Sequence, residues 1–175
     1  NIDPIKFNIY SENKLRIYIP KYYAFQKFGL PDIDKTSDYK ICDNLTFNGS
    51  LREQQIEPVN NFIKAAKDPL KRGGIISVPC GYGKTVIALY IAAKLKVKTL
   101  VVVHKEFLLN QWKERIREFI PNAKIGRLQS KVIHIEGYDI VIGMLQSISM
   151  IDYSEKVFEE FGLVIYDECH HLGAE

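Results

Sequence analysis

Apolar and polar residues alternate along the first part of the chain and gather into short blocks further on. Ile5, Phe7 and Ile9 are separated by polar neighbours, as are Leu15, Ile17 and Ile19, and Ser11-Glu12-Asn13-Lys14 lies between the two sets. Period-two alternation on either side of a polar tetrad predicts a β-hairpin. Tyr22–Phe28 reads as a short aromatic helix or turn before Gly29, and residues 30–50 read as loop, with Pro31, several Asp and Asn48-Gly49. Residues 1–46 are therefore expected to form a small β-rich appendage ahead of a domain over 47–175. From Leu51 the pattern changes to blocks that alternate in type: helix 51–67, strand 75–78, helix 84–95, strand 99–103, helix 106–119, strand near 132–135, strand 140–142, helix 145–150 and strand 163–166. Such alternation predicts an α/β fold, a parallel sheet covered on both faces by helices. Ligands of such sheets bind beyond the carboxyl ends of the strands.

Two runs at those carboxyl ends carry chemistry. Pro79-Cys80-Gly81-Tyr82-Gly83-Lys84-Thr85 joins the apolar block Ile75–Val78 to the apolar block Val86–Ile91. Gly81 and Gly83 lack a Cβ, so the backbone can turn tightly and aim successive N–H groups at phosphate oxygens. The following helix adds the positive end of its dipole. Lys84 is placed to reach β- and γ-phosphates and Thr85 to put its hydroxyl on a magnesium ion. The second run, Asp167-Glu168-Cys169-His170, ends the block Leu163–Tyr166. Asp167 is the candidate to hold that magnesium, and Glu168 the candidate to orient and deprotonate an attacking water. Val78 stands where the full phosphate-loop pattern has Gly, which leaves the short form Gly-x-Gly-Lys-Thr. A strand-to-helix turn with an incidental Lys-Thr is the plain alternative, and the acidic pair on a second strand speaks against it. Together the runs point to nucleoside triphosphate hydrolysis.

Composition narrows this only slightly. The 175 residues are 46% hydrophobic, enough for one domain with a substantial core and an appendage, and the net charge of +3 neither demands nor forbids a nucleic-acid partner. Arg115, Arg117, Lys124, Arg127 and Lys131 form a basic stretch that is either a solvated helix face and loop or part of a nucleic-acid surface. Cys42, Cys80 and Cys169 are odd in number and lack metal-ligand spacing, which suits a reduced intracellular setting. Adjacent Cys169, His170 and His171 at a strand end cannot all converge on one zinc ion. No apolar run is long enough to span a bilayer, so no membrane partner is expected.

The ordered motifs resemble superfamily 2 helicases and translocases of the DExH type. Beside the loop and Asp167-Glu168-Cys169-His170, Leu51-Arg52-Glu53-Gln54-Gln55 is similar to the adenine-reading Leu-Arg-x-x-Gln motif. Val103–Trp112 is similar to motif Ia, with its Leu-x-x-Gln-Trp ending, and Asp139–Ile148 to the segment carrying motif Ib. The likeness covers roughly residues 45–175. It is greatest to helicases of large cytoplasmic DNA viruses and to the branch containing the transcription-factor helicase of nucleotide excision repair. It implies a RecA-like phosphate-loop domain using ATP and Mg2+, and a DNA-dependent helicase or translocase rather than an RNA one. A virus factory or virion is implied for a viral protein and the nucleus for a cellular one. A duplex translocase that does not separate strands, and a nucleic-acid-binding fragment without turnover, remain open alternatives.

Carried over residue by residue, the resemblance implies that Gln55 reads the adenine edge, Arg52 stacks on the base, and Pro79 through Thr85 hold the phosphates. His170 would link the nucleotide site to the nucleic acid and to a second RecA-like domain of the same parent chain. His104, Lys105, Gln146 and Ser147 would meet phosphates of the tracked strand. Phe47 is either an adenine sandwich or core. Trp112, sharing a helix with Leu108, Leu109 and Ile116, reads as core packing. The family's Ser-Ala-Thr strand and arginine finger follow Asp-Glu-x-His. A chain ending at Glu175 is accordingly expected to have a sheet incomplete at its C-terminus, with an exposed edge or groove, and to hydrolyse little by itself.

Overall fold

The computed structural model describes residues 8–36 and 38–169. They fall into two compact units, one holding the chain up to Lys35 with Asn61–Ile75, the other Thr36–Asn60 with the residues from Ile76 onward.

In the first unit, β1 (Ser11–Glu12) and β2 (Ile17–Tyr18) pair antiparallel, Ser11 opposite Tyr18 and Glu12 opposite Ile17. The turn lies at 13–16, later than the alternation predicts. Asn13 sets it by accepting the N–H groups of Leu15 and Arg16 on its side-chain oxygen, both at 2.9 Å. The helix α1 (Lys21–Phe28) follows and stops at Gly29, whose φ of 85° is open to a residue without a Cβ. Ile9, Leu15 and Ile17 are exposed, so the alternation marks no buried face. Two residue pairs cannot hold a sheet face by themselves, and the described part of the appendage is this antiparallel hairpin followed by a helix. Ile5 and Phe7 lie outside the described residues. The second half of α2 (Glu53–Lys67) and the turn after it complete this unit.

The second unit is built on a five-stranded sheet. After α3 (Lys84–Leu95) come β3 (Thr99–Val103), α4 (Glu106–Phe119), β4 (Ile125–Gln129), β5 (Val132–His134), β6 (Ile140–Met144), α5 (Leu145–Met150), a 3-10 turn over Glu155–Val157 and β7 (Leu163–Tyr166). The order across the sheet is β5-β4-β6-β3-β7. All pairs are parallel except β5 against β4, its hairpin neighbour. The strand β4 falls within the basic stretch read as loop, because Arg127 and Gln129 alternate with Gly126 and Leu128, both buried.

Every residue of β3 and β6 is buried, as expected of strands covered on both faces. Val101, Val103, Ile140 and Ile142 pack with Leu89 and Ala93 of α3 and with Leu109, Trp112 and Ile116 of α4. Their alternates Leu100, Val102 and Val141 face Ile148 of α5, Tyr153, Val157 and Phe158. The expected helices on both faces are therefore present. Residues 40–45, though irregular, are pinned to the foot of β3: Ile41 bridges Val97, the Cys42 N–H donates to Lys96 O, and the Lys98 N–H donates to Lys40 O. Burial and the neighbouring Asp139 carboxylate push the Cys42 thiol up to about 11.

One expectation fails. Ile75–Val78 forms no strand: residues 72–79 are irregular and Ile75 is 82% exposed. A strand needs a partner, and among the described residues none lies beside the outer edge of β7, where Val164 and Tyr166 are partly exposed. The exposed sheet edge expected from the resemblance is this edge.

The ammonium of Lys98, just before β3, is fully buried. It donates to Glu160 at 2.5 Å and to Ile135 O at 2.8 Å, and lies over the Phe161 ring. That hydrogen bond holds the Glu160 carboxyl below its ordinary 4.5. A depressed carboxyl contributes stability at pH above the ordinary value, and the contribution is lost as pH falls through the lower folded value. Glu160→Ala should destabilise by about 1–3 kcal/mol, less than a fully buried pair because Glu160 is half exposed. The double change with Lys98→Met should restore much of the loss. Urea unfolding at pH 7 and pH 4 checks this: the gap between wild type and Glu160→Ala should shrink at the lower pH.

Candidate nucleotide site

The loop before α3 is shaped by two glycines. Gly81 has φ 76° and Gly83, the residue capping α3, has φ 88°, both in the left-handed region that side chains disfavour. No side chain caps α3, so the N–H groups of its first turn remain available to an anion. The loop is fastened from below by Gln55, which is 2% exposed. Its Nε2 donates to Tyr82 O at 2.6 Å, and its Oε1 accepts the Arg52 N–H at 2.9 Å. The Tyr82 hydroxyl donates to Gln54 O at 2.6 Å, a second tie between the loop and the start of α2.

Across the site, Asp167 extends the β3–β7 ladder by one bond, its N–H donating to Val102 O at 3.1 Å. Glu168 then turns with φ 56°, a conformation that costs a residue with a side chain roughly 1 kcal/mol. That turn carries its carboxylate to the loop: Lys84 Nζ donates to Glu168 Oε1 at 3.0 Å. The hydrogen bond to Glu168 raises the Lys84 pKa above 10.5, with lesser help from the charges of Glu168, Cys80 and Asp167. The pair's contribution is thus complete below pH 10.5 and fades only as pH rises through the higher folded value. Both groups are more than one third exposed, so the bridge is worth at most about 1 kcal/mol. A triphosphate can displace it at little cost.

The sequence-predicted residues are distributed as follows. Lys84, Glu168 and the loop from Pro79 to Thr85 come together. The amide of Gln55 is already engaged on the loop, so here it braces Tyr82, and Arg52 contributes its backbone while its side chain is exposed. Phe47 stacks on Phe119 at 5.5 Å and meets Tyr90 edge-on, which makes it core. His104 and Lys105 follow β3, Lys105 is exposed, and Gln146 Nε2 donates to His104 O at 2.8 Å. Ser147 is 9% exposed and its hydroxyl accepts the Ser130 N–H at 3.1 Å, because it sits on the inner side of the first turn of α5. In the basic stretch Arg115 pairs with Glu118 and Arg127 with Glu106, both through exposed bridges open to exchange. His170 and His171 lie outside the described residues.

Trp112 carries more than core packing. Its indole N–H donates to Asp167 Oδ2 at 2.8 Å. Helical periodicity assigns Trp112 a face but says nothing of its polar edge; the only hint in sequence is that a buried indole N–H needs an acceptor.

Comparison with known proteins agrees with this arrangement. The family model described as "Type III restriction enzyme, res subunit" matches residues 48–175. The chain belongs to that family. The Acanthamoeba polyphaga mimivirus protein named "Putative ATP-dependent RNA helicase L396" is 42% identical over 169 residues, 96% of this chain and 32% of its own length. The "DNA 3'-5' translocase XPB2" of Sulfurisphaera tokodaii is 37% identical over 129 residues, 71% of this chain and 26% of its own length. The chain thus spans about a third or less of these relatives. The SWI2/SNF2 ATPase core of Sulfolobus solfataricus, solved with double-stranded DNA, superposes with a TM-score of 0.61 at 19% identity, over 76% of this chain and 29% of that one. This likeness assigns the sheet and its helices to the RecA-like fold.

A Cβ at Gly83 would lie 2.6 Å from Gln55 Nε2, in a backbone conformation that disfavours any side chain. Gly83→Ala should therefore break the Gln55–Tyr82 tie and lower nucleotide affinity by about tenfold or more, roughly the worth of one charged hydrogen bond, while the sheet unfolds at nearly the same urea concentration. Calorimetric titration with ATP checks the first part and urea unfolding the second.

Proposed function

We propose that this chain is the ATP-binding N-terminal part of a DNA-dependent helicase or translocase, whose parent protein hydrolyses ATP through the site described above. The observation that carries the proposal is the 3.0 Å contact between Lys84 and Glu168, which joins the phosphate loop to the acidic strand end in one site. When a nucleotide enters, the loop N–H groups and Lys84 take the phosphates. Glu168, exchanging Lys84 for the phosphate's attacking water, would hold that water in line with the γ-phosphate and accept its proton. Arg52 would stack on the base, and Gln55, keeping its bond to Tyr82, would read adenine with its second Nε2 hydrogen and the remaining lone pair of Oε1.

Thr85 and Asp167 offer a hydroxyl and a carboxylate, a hard-oxygen pair that fits Mg2+, which binds proteins through one or two such oxygens with phosphate and water completing its shell. Bound there, the ion would neutralise phosphate charge. Asp167 supplies one carboxylate held at fixed height by its backbone bond to Val102. His170, next to the acidic pair, would couple the site to nucleic acid and to a second RecA-like domain of the same protein. Lys105 and Gln146 stand at the same edge of the sheet, where a strand's phosphates would pass. The motif forms Leu51-Arg52-x-x-Gln55 and Val103-His104-Lys105-Glu106 and the relative named as a DNA translocase support DNA, whereas the mimivirus relative is named an RNA helicase, so the partner is set by the test below. The names of relatives from large DNA viruses favour a viral setting.

Removing the Lys84 ammonium deletes a charge-assisted contact of about 1.5–3 kcal/mol, so Lys84→Ala should weaken ATP binding by about 10- to 100-fold and leave DNA affinity within twofold. Calorimetry with ATP and a fluorescence-anisotropy titration with duplex DNA measure the two. Unchanged ATP affinity would contradict the proposal. Comparing ATP turnover of the full-length parent protein with duplex DNA, single-stranded DNA and RNA tests the partner, and stimulation by RNA alone would overturn the DNA assignment.

A further inference from the structure

The contact between α4 and the acidic strand end goes beyond the residues that touch nucleotide. We propose that Trp112 is a positioning residue for Asp167: its indole N–H fixes the rotation of the carboxylate, so that one oxygen is held by protein and the other is presented to a divalent cation. The inference rests on the reading of Asp167 as a magnesium-binding group.

The chemistry is asymmetric. An indole N–H only donates, and a carboxylate only accepts. Trp112 is 2% exposed, wedged among Val103, Leu109 and Ile116, so its ring cannot follow a moving partner. The Asp167 backbone is fixed as well, by its bond to Val102 O. With both ends anchored, the 2.8 Å bond to Oδ2 leaves the side chain one orientation, and Oδ1 keeps its lone pairs. A hydrocarbon side chain at position 112 would fill the core equally well and need no partner. An indole there brings a donor to the one carboxylate at the strand end that the site reserves for a metal. Groups that hydrogen-bond a metal-binding carboxylate typically govern metal affinity by 10- to 100-fold.

Trp112→Phe keeps the ring and removes the donor. A fluorescent ADP analogue titrated onto the chain at stepwise Mg2+ concentrations gives two quantities, the metal-free affinity and the Mg2+ concentration at half-effect. The expected result is an unchanged metal-free affinity with the Mg2+ midpoint raised about 10- to 100-fold. An unchanged midpoint, or equal loss of metal-free and metal-dependent binding, overturns the proposal. A wild-type chain that binds the analogue but gains nothing from Mg2+ removes the magnesium reading itself and the inference with it.

Should Trp112→Phe fail to fold, Asp167→Ala serves instead, because Trp112 is the chain's single tryptophan and gives one indole N–H resonance. That resonance should move strongly upfield in Asp167→Ala, which removes the acceptor, and shift when Mg2+ and ADP are added to wild type. A resonance indifferent to both overturns the proposal.

Discussion

The parallel register around β3 is the constraint on which the rest of the second unit depends. Val103 pairs with Met144 of β6, and Val102 pairs with Tyr166 of β7. The residues that follow these strands, His104, Leu145-Gln146 and Asp167-Glu168, are thereby placed at one edge of the sheet. The register is enforced by burial on both faces. A slip of one residue would turn Val101 and Val103 away from α3 and α4 and exchange their faces with Leu100 and Val102. Chemistry at that edge is thus positioned by hydrocarbon packing behind it.

Two groups on the edge are set by different kinds of contact. Glu168 reaches Lys84 through a bridge open to water, which is weak and exchangeable. Asp167 is held by a buried indole and a backbone bond, neither of which solvent can easily replace. The neighbouring carboxylates are therefore held by different kinds of contact although they differ by one position in sequence. A site that must admit a polyanion and then control a water benefits from one exchangeable acid beside one fixed acid. Gln55 adds a further restraint, since the loop that Lys84 belongs to is tied to α2 before any ligand arrives.

The sequence made the chemistry legible because phosphate cradling depends on local features: glycines at 81 and 83, Lys84, Thr85 and an acidic pair after an apolar block. It also made β3, β6 and β7 legible, since buried parallel strands read as continuous apolar runs. What stayed hidden depends on partners far along the chain. Ile75–Val78 has the composition of a strand, yet pairing is non-local and among the described residues no strand lies beside it. The strand β4 was masked by Arg127 and Gln129 at its outward positions. Ser147 has the chemistry of a phosphate contact, but the angle at which α5 leaves β6 turns it inward to Ser130. For Trp112, periodicity gave the correct face, and only the fold brings its N–H to Asp167.

The most direct test is a crystal structure of the chain with a non-hydrolysable ATP analogue and Mg2+. The account predicts the β- and γ-phosphates seated on the N–H groups of Gly81–Thr85, with Lys84 Nζ moved from Glu168 onto a phosphate oxygen and the Trp112–Asp167 bond intact. A nucleotide bound elsewhere while the Lys84–Glu168 pair stays closed would contradict it.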